Sequence, residues 1–134
     1  MSLYTPLITE VAELVRERAL GTVGVDIFVG ELPEDVTEGF FLVSAPSPAP
    51  HQYLDTEYTV IDFWYRTPHT AKGYEKMEAL KNAFHRRENY TTANWHIYFS
   101  EVLGSISDVD RDKEGGKLLR LSIQFICRNL NGIS

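Results

Sequence analysis

KLLRLSIQFICR, residues 117–128, alternates without a break: Leu119, Leu121, Ile123, Phe125 and Cys127 face one way, and Leu118, Arg120, Ser122, Gln124, Ile126 and Arg128 the other. A period of two belongs to a β-strand. Upstream, TTANWHIYFSEVL (91–103) reads as another long strand. The charged run between them, SDVDRDKEGGK (107–117), then becomes the connection of an antiparallel hairpin with an extended loop.

Working outward, EYTVIDFWYR (57–66) is a further clear strand, with Tyr58, Val60, Asp62 and Trp64 alternating with Thr59, Ile61, Phe63 and Tyr65. Both sets carry large apolar groups, so a central strand covered on both sides is expected. Pro68 closes it, and residues 70–87 read as a helix with Tyr74, Met77, Leu80 and Phe84 on one stripe. Gly73 in its first turn is a mild weakness. Toward the N-terminus, FFLVSA (40–45) and VDIFVGEL (25–32) read as neighbouring strands, with Val25, Ile27 and Val29 on one face of the latter. PSPAPHQYLD (46–55) has three prolines in five positions and reads as an extended, exposed loop. TPLITEVAELVRERA (5–19) reads as an opening helix, with Thr5 as N-cap, Pro6 at its first position and Gly21 as its stop. The order α-β-β-β-α-β-β calls for one α+β domain over residues 1–134. Its expected core is a mixed or antiparallel sheet of about five strands with two helices packed on it.

Bulk properties narrow the function classes. A chain of 134 residues with 43% hydrophobic and 12% aromatic residues builds a real core. No apolar run reaches the ~18 residues of a membrane span, and MSLYTPLITE lacks the pattern of a signal peptide. Cys127 is the single cysteine, which excludes an internal disulfide and a Cys-based zinc site and points to a cytosolic origin. The net charge of −6 opposes nonspecific attraction to DNA.

The candidate sites divide unevenly. Asp108, Asp110 and Asp112 match positions 1, 3 and 5 of a calcium loop, but Lys113 and Leu119 stand where glycine and a bidentate glutamate are needed. A solvated hairpin tip is the better reading of that run. His51, His69, His85 and His96 show no metal-ligand spacing, so no metal is expected. Cys127 sits in an apolar register, as buried structural cysteines do. No nucleotide-binding or nucleophile motif is present, so neither a cofactor nor catalysis is expected. Tyr58, Phe63, Trp64, Tyr65, Trp95, Tyr98 and Phe99 concentrate on two strands, as core or as a protein contact.

Two motifs carry a resemblance. GTVGVDIFVGELPED (21–35), directly after the first helix, and DVDRDKEGGKLLRLSIQFICR (108–128), a charged loop feeding a last strand that ends in Arg, resemble the tail terminator proteins of long-tailed phages. These also go by the names minor capsid or tail completion proteins. The resemblance covers nearly the whole chain in order and length, although PSPAPHQYL is not closely matched. It implies a non-enzymatic virion protein that forms a six-membered ring on the head-proximal end of the tail tube. The implied partners are the tail tube protein, the head connector or completion protein and further copies of the chain, and no membrane. DNA would pass through the centre without sequence-specific binding, and an acidic bore would let it slide. Under this reading the loop 104–117 is the assembly element, with Asp108, Asp110, Arg111, Asp112, Lys113 and Glu114 as its docking residues. Another head–tail connector or stopper, and a small α+β ligand-binding domain with a pocket between sheet and helices, are the alternatives.

Overall fold

Alternation in the strands puts their large apolar residues on one side, and two amphipathic helices cover that side. The computed structural model describes residues 6–18, 21, 23–33, 35–45, 56–111 and 116–130. The elements run α1 (Leu7–Glu17), β1 (Ile27–Val29), β2 (Gly39–Ala45), β3 (Glu57–Thr67), α2 (Thr70–Phe84), β4 (Arg87–Thr91), β5 (Trp95–Arg111) and β6 (Lys117–Asn129). They build one six-stranded sheet in the order β1-β2-β3-β6-β5-β4. β1 and β2 pair in parallel, and every other neighbouring pair is antiparallel.

The expected sheet of about five strands in the order α-β-β-β-α-β-β is therefore corrected to six strands in the order α-β-β-β-α-β-β-β. Strands dominate: β5 and β6 run 17 and 13 residues, against 11 and 15 for α1 and α2. The additional strand is β4, whose first residue falls within the range assigned to the second helix. That helix ends at Phe84 because His85 is already extended, with ψ 122°, and Arg86 turns left-handed at φ 57°. A left-handed residue cannot continue an α-helix.

The buried face is continuous across the strands. Phe40 and Leu42 of β2 lie beside Tyr65 and Phe63 of β3, which lie beside Leu119 and Leu121 of β6. Ile123, Phe125 and Cys127 extend the row along β6, and all these β6 residues are buried, as the alternation required. α2 lays Met77, Leu80 and Phe84 onto this surface. The Phe84 ring lies 5.9 Å from that of Phe63 and 5.6 Å from that of Phe125. Gly73 is a contact point rather than a weakness, since a Cβ there would fall 2.6 Å from Thr67 Cγ2 and 2.9 Å from Leu119 Cδ1.

α1 packs Leu7, Val11 and Val15 into the same core, against β1 and β2. Its Glu10, only 7% exposed, reaches the β4–β5 turn. There the carboxylate accepts hydrogen bonds from the Thr92 hydroxyl, the Asn94 backbone N–H (2.9 Å) and Asn94 Nδ2 (2.8 Å). α1 thus ties one side of the sheet to the other. The helix begins at Leu7 after Pro6, without a side-chain cap, and the expected cap Thr5 lies outside the described residues.

Two strand expectations need correction. The segment 25–32 contributes only three strand residues, Ile27–Val29; Val25 and Val29 are 65% and 44% exposed, and only Ile27 enters the core. β3 is central, and among the described residues the helices cover one face: Ile61, Phe63 and Tyr65 are buried there, whereas on the opposite face Val60 is buried and Asp62 and Trp64 stay partly open.

Candidate assembly surfaces

The charged run is largely sheet rather than loop. β5 continues to Arg111, and its ladder with β6 runs through Ser107–Arg120, Asp108–Leu119, Asp110–Leu118 and Arg111–Lys117. The extended loop expected over 104–117 therefore reduces to the short connection after Arg111. β5 accommodates this with register shifts after Leu103 and Asp108, where it carries more residues than β6. Gly104 sits at the first shift with φ +81°, a backbone that side-chain-bearing residues rarely adopt.

The described part of the run is ordered by its ladder and one ion pair. Lys117 Nζ lies 2.9 Å from Asp108 Oδ2, with the aspartate side chain 40% exposed. At such exposure solvent screens the pair, which contributes little to stability. Asp110 and Arg111 are described through their backbone pairing, whereas Asp112, Lys113 and Glu114 lie outside the described residues. Lys117 also pairs with Thr67, so the run lies at the sheet end where β3 passes to α2.

A second polar cluster occupies that same end. The Thr67 hydroxyl donates to Glu38 Oε2 at 2.7 Å, and Lys72 Nζ lies 3.3 Å from Glu38 Oε1. Burial alone would raise the Glu38 carboxyl, but the bonds from Thr67 and Lys72, with the Lys72 charge, hold it below its ordinary value. The β1–β2 connection is thereby fastened to the start of α2.

The helix-free face of the sheet carries Trp64, one of the aromatics that the sequence leaves open as core or as a protein contact. Cross-strand pairing sets Phe28 beside Phe41, Phe41 beside Trp64 and Trp64 beside Arg120. The Phe41 and Trp64 rings stack at 5.7 Å with 9° between planes, and the Arg120 guanidinium lies 5.6 Å from the Trp64 ring. One step along, the Ser122 hydroxyl donates to Asp62 Oδ1 at 2.5 Å, which accounts for an acid inside an otherwise apolar strand. The available signal was the second alternation of β6, in which Leu118 and Ile126 share a side with Arg120, Gln124 and Arg128.

The catalytic candidates do not come together. Cys127 is fully buried, and burial pushes its thiol up to about 12, far from a reactive thiolate. His85 Nδ1 accepts the Val102 backbone N–H at 3.1 Å, and His96 packs edge-on to Tyr98. His51 lies outside the described residues. Among the described residues, no three His, Cys, Asp or Glu form a group that could hold a metal ion. A surface depression on the outer side of α2 is lined by Lys72, Glu75, Lys76 and Ala79.

Comparison with known proteins adds three findings. The sequence profile of the family described as bacteriophage tail terminator protein matches residues 14–129. No curated protein matches the sequence. Among solved structures, a chain in the virion of a native gene transfer agent particle is 10% identical at a TM-score of 0.62, over 92% of this chain and 98% of that one. At such low identity the structural match speaks for the fold alone.

Proposed function

Because this chain belongs to the bacteriophage tail terminator family, whose members are structural proteins of the virion tail, we propose that it closes the head-proximal end of the tail tube as a ring of six. The ring stops further polymerisation of the tube protein and offers its outer surface to the connector or completion protein of the filled head. DNA crosses the ring without sequence-specific contact, which suits a chain of net charge −6. No catalytic step is part of this role. The observation that carries the reading is the family match over residues 14–129.

Within this role the charged hairpin end docks on the tube or on a neighbouring subunit through Asp108, Asp110, Arg111, Asp112, Lys113 and Glu114. Support comes from the concentration of six charged residues in seven positions and from the solvent-facing placement of Asp108. Replacing Asp108, Asp110 and Asp112 with alanine should impair assembly on tails while leaving the thermal transition in place. Normal assembly by that variant would remove the hairpin from the docking surface.

The ring reading is tested by adding the purified protein to tail tubes during elongation. Growth should stop, and the tubes should be shorter the more protein is present. Elongation to the same length at every protein concentration would overturn it.

A further inference from the structure

Charge is divided along this chain in a way that the sheet order converts into geometry. None of the 13 Lys and Arg falls between residues 19 and 65, a span holding eight of the 19 Asp and Glu. Residues 66–134 hold 11 Lys and Arg against eight Asp and Glu. With the order β1-β2-β3-β6-β5-β4, the acidic span supplies one half of the sheet and the basic span the other. The β1 edge therefore lies in the half supplied by the acidic span, and the β4 edge in the half supplied by the basic span.

The details at each edge agree. Of eight large hydrophobics exposed among the described residues, three cluster at the β1 edge, at positions 23, 25 and 29. Exposed Glu31 and Asp35 follow directly. Clustered valines next to exposed acids mark a contact surface, whereas scattered ones would not. At the other edge, Arg86 is exposed in its left-handed turn and Arg87 lies 3.9 Å over the Tyr90 ring, with Glu88 as the acid of that strand.

We propose that the β1 edge of one copy docks against the β4 edge of the next, the valines and Glu31 and Asp35 meeting Arg86 and Arg87. Two different patches at opposite ends of one sheet form a heterologous contact, which propagates head to tail and closes when the rotation per copy divides a full turn. The occupant is a second copy because the chain itself carries both complementary charges. This rests on the ring reading and assigns its subunit interface.

Charge reversal tests the assignment directly. E31K/D35K makes both edges basic, and R86E/R87E makes both acidic. Native mass should show each variant alone self-associating at least about tenfold more weakly than the parent, through like-charge opposition. An equimolar mixture should recover alternating assemblies with even numbers of subunits. Recovery also shows that both variants are folded, a check needed because Arg87 loses its contact with Tyr90. Variants that assemble alone like the parent, or a mixture that recovers nothing while the parent forms rings, would overturn the edge assignment and leave the ring reading standing. A parent that assembles neither alone nor on tail tubes, with variants that associate with nothing, would overturn both.

Discussion

The two faces of this sheet use the same residue types to different ends. On the covered face, Phe63, Phe84 and Phe125 meet in a tilted and edge-on cluster, and the two phenylalanines from β3 and β6 are fully buried. On the open face, Phe41 and Trp64 stack flat and Arg120 closes the row, with the side chains still partly in solvent. The first arrangement stabilises the fold, because each fully buried apolar side chain contributes about 1.5–3 kcal/mol. The second leaves aromatic and guanidinium groups where a partner protein can bury them. An aromatic residue on a strand therefore carries no fixed meaning until its face is known.

Substitutions should separate the faces by size of effect. Phe125→Ala opens a cavity beneath α2 and should cost about 3–5 kcal/mol in a denaturant titration. A loss below about 1 kcal/mol would mean that the core is not closed over β6. Glu10→Ala removes the acceptor of three hydrogen bonds and leaves the Thr92 and Asn94 donors under α1. It should cost about 1–3 kcal/mol and raise amide exchange in the β4–β5 turn. Unchanged exchange there would separate α1 from that turn. Trp64→Ala should cost about 1 kcal/mol or less, since part of the ring is already in solvent. If the cost matches that of Phe125→Ala, the faces do not differ.

The polar end of the sheet should give the smallest effects. Glu38 has its carboxyl pKa lowered in the folded state, so its contribution is complete above the unfolded value near 4.5 and disappears as pH falls through the lower folded value. Glu38→Gln should therefore flatten the loss of melting temperature below about pH 4.5. A variant with the same acid slope as the parent would exclude Glu38 from that transition. Asp108→Ala should shift stability by about 0–1 kcal/mol, as an exposed ion pair does.

These contrasts explain which parts of the molecule the sequence discloses. β6 was legible because its core side is purely apolar, and α2 because Met77, Leu80 and Phe84 keep helical spacing. β4 was not, since RENYT holds one buried residue, Tyr90, in a charged edge strand. β1 is shorter than its valines suggest, because their alternation looks the same whether a strand is buried or exposed. The far half of β5 reads as loop, because glycine at 104 and alternating aspartates resemble a turn, whereas β-bulges let the ladder continue to Arg111. β3 reads as central with two covers, since apolar residues on both faces do not say what covers them. The charged residues of 108–114 were legible as a cluster; the position of the run beside the start of α2 needed the ladder.

The most direct test of the central claim is imaging of isolated tail tubes incubated with the purified protein. A six-fold ring is expected at one end of each tube, none along its length, and no further growth at the capped end. Protein bound along the tube wall, or absent from tubes that go on growing, would contradict it.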